Sequence, residues 1–92
     1  MDDFDDDEWA EMQEMYINHT SKELAKIQGD IDTVEIDLLR TFGHNIKGSG
    51  GMYGFEEVTN FGSEIEVSAK ANDRNKIKTL LDELSSFLQT KI

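Results

Sequence analysis

Residues 38–55 read LLRTFGHNIKGSGGMYGF, and their spacing decides how the rest of the chain is read. At about 100° per residue, Leu39, Phe42, Ile46, Ser49 and Tyr53 share one face, which predicts a helix from Asp32 or Thr33 to about Gly51. Either Asp32 or Thr33 has the side-chain oxygen to cap its start, and Gly54 suits a left-handed turn that ends it. His44 then falls close to the side opposite the apolar face. Lys47 lies one turn on, Gly48 sits beside the imidazole, and Asp37 and Gly51 complete the outer surface.

Two features set this window apart. It contains no Asp or Glu, in a chain with 20 of them, and carries Arg40, His44 and Lys47 instead. It also holds five of the seven glycines, at 43, 48, 50, 51 and 54. Glycine inside a helix costs roughly 0.5–1 kcal/mol relative to alanine, so three at 48, 50 and 51 cost about 2 kcal/mol. Against a total stability of about 5–15 kcal/mol, a segment that keeps such a penalty is where function is expected.

Outward from this stretch the helical period continues. An N-terminal helix is predicted from Glu8 to Gln28, with Trp9, Met12, Tyr16, Leu24 and Ile27 as its stripe and Gly29 as its stop. Thr20 and Ser21 interrupt that stripe, and Met15 and Ile17 fall off it toward solvent. A third helix spans Phe55 to Ala71 with Val58, Phe61, Ile65 and Ala69 inward. Asn72 or Asp73 caps a fourth, whose Ile77, Leu80, Leu81, Leu84, Leu88 and Ile92 recur at helical steps. Short connections make neighbours antiparallel. The expected fold is all-α, an antiparallel up-down four-helix bundle over residues 8–92, preceded by an acidic lead-in at 1–7 with room for a short extra helical segment. No alternating apolar run competes.

Composition excludes several classes. The chain has 92 residues, no Cys and no Pro, so disulfides, thiolate metal sites and a cysteine nucleophile are out. A net charge of −11 disfavours nucleic acid and anionic membrane, which need clustered Lys and Arg. No apolar run approaches the roughly 18 residues of a span, and the acidic start is unlike a leader, so a cytoplasmic monomer is expected. A free-standing protein and a domain cut from a longer sensor both fit the sequence, and the start at Met1 with a full set of helices favours the former.

Each residue of the outer face has a chemical reading. A neutral imidazole, with an ordinary pKa near 6.5, is a nitrogen nucleophile at neutral pH. An adjacent ammonium neutralises phosphoryl oxygens, and phosphoryl transfer asks mainly for positioning and charge stabilisation. Gly48 removes bulk beside the ring. A phosphate loop is excluded because Lys47 precedes the glycines and no strand leads in. A metal site finds no Glu-x-x-His or His-x-x-x-His pair. His19, without such a neighbourhood, reads as a solvated side chain.

The run His44-Asn45-Ile46-Lys47-Gly48-Ser49, followed by Tyr53-Gly54, resembles the motif of histidine-containing phosphotransfer (HPt) domains. The likeness extends over nearly the whole chain: the segment 55–71, with Phe61, Ile65 and Glu66, resembles the family's following helix, and the Asn72-Asp73 break and leucine-rich end match its hairpin. Gly50 and Gly51, where many members have a further small polar residue, and Tyr53, in place of an aliphatic, depart from the pattern. The resemblance implies a phosphorelay carrier in two-component signalling, not an enzyme with an ATP site. His44 would be phosphorylated, Lys47 would stabilise the phosphoryl group and Gly48 would give clearance. Asp37, Arg40, Asn45 and Gly51 are expected to touch the partner. That partner would be the receiver domain of a response regulator or hybrid kinase. No cofactor is expected on this chain, because the Mg2+ belongs to the receiver. The rival readings are a helical adaptor or inhibitor that docks without phosphorylation, and a domain phosphorylated by an ATP-binding kinase.

Overall fold

The computed structural model describes residues 6–92. Among them are four helices and no strand: α1 (Asp6–Gly29), α2 (Ile36–Gly50), α3 (Glu56–Lys70) and α4 (Arg74–Gln89), with a 3-10 turn at Gly51–Tyr53 between α2 and α3. The fold class is therefore the expected helical bundle. None of the helices is long and apolar enough to cross a membrane.

Pairs across the bundle run in opposite senses between neighbours. Between α1 and α2, Tyr16 meets Ser49 and Gln13 meets Tyr53, while Ile27 shares a groove with Leu38 and Phe42. Between α2 and α3, Gly43 abuts Gly62 and Glu66, and Gly50 abuts Val58 and Thr59. Between α1 and α4, Gln28 bonds Asp82, while Ala10 and Lys91 flank one depression. The core at the centre is built from Leu24 and Ile17 of α1, Leu39 and Ile46 of α2, Val58 and Ile65 of α3, and Ile77, Leu81, Leu84 and Leu88 of α4.

Helix α1 departs from expectation in two respects. It already includes Asp6 and Asp7, ahead of the expected Glu8, and Asp6, Asp7 and Glu8 suit the positive end of a helix dipole; the rest of the acidic lead-in lies outside the described residues. Its buried stripe is Ile17, Thr20, Leu24 and Ile27, with Ile17 only 2% exposed. Ile17 was expected outside and Trp9 inside; the structure reverses them. Trp9 stands at the end of the bundle and stacks on Tyr53 with ring centroids 6.4 Å apart. Tyr16 stacks on Tyr53 at 4.5 Å and on Phe55 at 6.1 Å. The aromatic residues thus form a half-buried layer capping one end, and the aliphatic seam takes the centre.

The start of α2 also differs. Neither Asp32 nor Thr33 caps it: the N-cap is Glu35, with no side-chain cap bond. Residues 30–34 coil into turns instead, with Val34 N–H donating to Asp30 O at 2.7 Å. Arg74 Nη1 donates to the carbonyls of Ile31 and Val34, both at 2.7 Å, and Lys78 pairs with Asp32. This ties the first connection to the start of α4.

Helix α3 ends as expected. Asn72 is left-handed (φ 57°), its N–H donates to Ala69 O, and Asp73 N–H donates to Ser68 O, the paired bonds of a Schellman stop. Asp73 then caps α4 by accepting from Lys76 N–H at 3.1 Å. The α4 stripe is buried as predicted from Ile77 to Leu88, but Ile92 lies beyond the helix end and is exposed.

Candidate functional site

Three glycines bring α2 and α3 together. A Cβ on Gly43 would lie 2.8 Å from Glu66 N and 2.9 Å from Gly62 O. A Cβ on Gly62 would strike Lys47 N and lie 2.6 Å from Gly43 O. Gly50 would place one 2.7 Å from Thr59 N. Gly50 therefore keeps its place by helix packing, not by clearance for a partner, and part of the glycine penalty is offset by close contact between the two backbones.

That contact delivers an acid to a segment whose own sequence has none. Glu66 lies on the buried stripe of α3, 8% exposed. Its Oε2 is 3.1 Å from His44 Nδ1 and its Oε1 is 3.3 Å from Lys47 Nζ. Burial pushes the Glu66 carboxyl up, but the hydrogen bonds from His44 and Lys47 and the nearby charges of Lys47 and Lys70 outweigh it and hold the group below its ordinary value. An ionised carboxylate only accepts, so His44 Nδ1 carries the proton. The other nitrogen, Nε2, has no hydrogen-bond partner among the described residues. The His44 side chain is 70% exposed and that of Lys47 is 48% exposed. A Cβ on Gly48 would meet nothing within 4 Å.

His44 is thus outward-facing, as the helical wheel predicts, but it leans on α3 instead of standing apart. Sequence reading assigned no role to Glu66. The available signal was an acid between Ile65 and Ala69 on an otherwise apolar stripe of α3, where an unpaired charge is unfavourable.

The other expected contact residues are dispersed. Asp37 is exposed on the His44 side and sits 3.7 Å from Arg40. Asn45 lies around the helix, lining a groove of about 300 Å³ with Ile27, Val34, Leu38, Thr41 and Phe42. Gly51 does not continue the outer surface. The backbone tightens to 3-10 there, Gly51 N–H donates to Thr59 Oγ1 at 2.8 Å, and Thr59 Oγ1 donates to Lys47 O at 3.0 Å. The left-handed turn falls at Gly54 (φ 87°) as expected, and Phe55 N–H closes onto Gly50 O at 2.8 Å.

A helical bundle that presents an imidazole to solvent beside an ammonium has the makings of a phosphoryl carrier. The family model of the Hpt domain matches residues 11–90, nearly the whole chain, and the chain belongs to that family. No curated protein and no solved structure matches significantly. Membership gives it a phosphotransfer role in two-component relays, as a phosphocarrier whose kind works with receiver domains.

Proposed function

We propose that the chain is a relay intermediate that takes a phosphoryl group onto His44 from the aspartate of one receiver domain and gives it to the aspartate of another. The observation that carries this reading is the exposed His44 ring beside Lys47, with open space over Gly48. A receiver must close its active site over the imidazole, and only the absence of a side chain on the adjacent turn leaves room for it. The receiver brings the phosphoryl group and its Mg2+. Lys47 lies one turn from His44 and supplies a cation for the phosphoryl oxygens. Asp37 and Arg40, on or near the His44 side, and Asn45 around the helix are the polar residues a docked receiver would meet. The chain passes the group on and does not hydrolyse ATP.

The test is incubation with a panel of receiver domains charged by acetyl phosphate, followed by mass mapping of the acid-labile modification. His44 should carry it. His44→Gln should keep its helical circular dichroism and its docking, and lose transfer by at least a hundredfold, since the nucleophile is gone. Modification at another residue, or transfer retained by His44→Gln, would overturn the proposal in favour of an adaptor that docks without carrying phosphate.

A further inference from the structure

From Lys47 to Gly51 the chain reads KGSGG, with glycine at 48, 50 and 51. The freedom of glycine goes unused there. Gly50 (φ −53°, ψ −54°) and Gly51 (φ −65°, ψ −31°) are right-handed, and among the described glycines the left-handed region is taken by Gly54 alone. A glycine held in a helix gives up more backbone entropy than any other residue, and this run lies at a helix end, where the last turn frays most readily. The same turn carries Gly48, over which space is open.

A side chain from α3 spans this turn. Thr59 Oγ1 accepts from Gly51 N–H at 2.8 Å and donates to Lys47 O at 3.0 Å. That carbonyl and that amide are four residues apart, the two ends of one helical turn. A hydroxyl can serve both because it has one proton to give and lone pairs to accept with. Packing holds Thr59 in place: a Cβ on Gly50 would lie 2.7 Å from its backbone N, and Phe55 N–H anchors the start of α3 on Gly50 O at 2.8 Å. Tyr16 meets the Ser49 side chain from the α1 flank at 2.7 Å, but the backbone of the turn is gripped by Thr59. Gly48 has no contact of its own to hold it and depends on the turn around it.

We propose that Thr59 is a positioning residue for phosphoryl transfer: its hydroxyl keeps the Lys47–Gly51 turn wound, so that the bare surface at Gly48 is already formed when a receiver arrives. This rests on His44 being the acceptor and Gly48 the point of closure. A partner that docks on the wound turn has its affinity reduced by the fraction of chains in which that turn is wound. Thr59 therefore acts on the encounter with a large donor and touches neither the imidazole nor the phosphoryl group. The His44 ring and the Lys47 ammonium are held by Glu66 instead. A donor small enough to reach the ring without closing over Gly48 is indifferent to Thr59.

The experiment uses the full chain with two donors: a receiver domain charged by acetyl phosphate, and phosphoramidate, a small molecule. Thr59→Val replaces the hydroxyl by a methyl of the same shape, and circular dichroism checks its fold. It should raise the receiver concentration for half-maximal transfer about tenfold, the order of one or two net hydrogen bonds, with the rate at saturation kept. Its loading from phosphoramidate should stay at the wild-type rate. Its Gly51 amide should exchange with deuterium faster than in wild type, while the Ile46 amide keeps its protection. Thr59→Ser restores the hydroxyl and should restore both the half-maximal concentration and the Gly51 protection. An unchanged half-maximal concentration in Thr59→Val would overturn the inference. So would a fall in phosphoramidate loading that matches the fall in receiver transfer, which assigns Thr59 a general structural role, or a Thr59→Ser as impaired as Thr59→Val. Should Thr59→Val not fold, the wild-type chain still decides: a Gly51 amide that exchanges as fast as open chain shows that the hydroxyl does not hold the turn. Loading on His44 with a receiver step blind to Thr59 sinks this inference alone. An absence of loading on His44 from phosphoramidate and from every charged receiver sinks the carrier reading and this inference with it.

Discussion

Gly48 and Gly50 stand two residues apart on α2 and serve opposite ends. A Cβ on Gly48 would reach open space; one on Gly50 would sit 2.7 Å from Thr59 N and 2.9 Å from Val58 Cβ. Gly48 keeps a surface bare beside His44. Gly50, with Gly43 and Gly62, lets two backbones approach until a buried acid on α3 reaches two side chains on α2. The same residue type thus leaves one surface bare and, two residues on, lets two backbones close on each other. A glycine count along the chain adds the two together; the distance to the next atom separates them.

The contrast can be broken most severely on the packed side. Gly62→Ala should destabilise the fold by about 3 kcal/mol, and Gly50→Ala by about 2 kcal/mol, as overpacking against backbone that cannot yield. Urea denaturation reads both, and a loss below about 0.5 kcal/mol in either would show that the seam has slack. On the open side the sign reverses. Gly48→Ala should raise stability by about 0.5–1 kcal/mol, because the helix gains a better former and loses nothing, while transfer from a charged receiver slows. A larger side chain should sharpen this: Gly48→Leu should slow receiver transfer at least tenfold more than it slows loading from phosphoramidate. Equal slowing with both donors would mean that Gly48 does not serve clearance.

The smallest effect lies in acid. Glu66 gives up its proton more easily in the folded chain than its ordinary value of 4.5. Its contribution to stability is therefore complete above that pH and is lost as pH falls through the lower folded value. Thermal melts of Glu66→Gln against wild type should differ at neutral pH and converge as the medium is acidified below that range. A constant difference down to the lowest pH would remove the ion-pair explanation.

How much of this was legible depends on where the signal lay. The α4 stripe from Ile77 to Leu88 was plain, since five apolar residues recur on one face and all are buried. The α1 stripe was misread because Trp9 and Tyr16 outrank Ile17 and Thr20 in size. Aromatic rings can also be satisfied by stacking on Tyr53 and Phe55 at the end of a bundle, so bulk alone did not locate the seam. Asp32 and Thr33 looked like caps by type, yet Arg74, more than 40 residues on, holds the carbonyls of that loop and postpones the helix.

The amino-acid order determined by itself the four helical periods, the breaks at Gly54 and Asn72, and the outward placement of His44 with Lys47 one turn away, because each depends on residues within a turn or two of one another. Tertiary structure alone decided that the acid-free window receives a carboxylate, that Gly50 and Gly51 face α3, and that one His44 nitrogen is tied while the other is left without a partner among the described residues. Those outcomes turn on the distance between two helices, which depends on atoms that no side chain occupies and which the order of residues along either helix does not record.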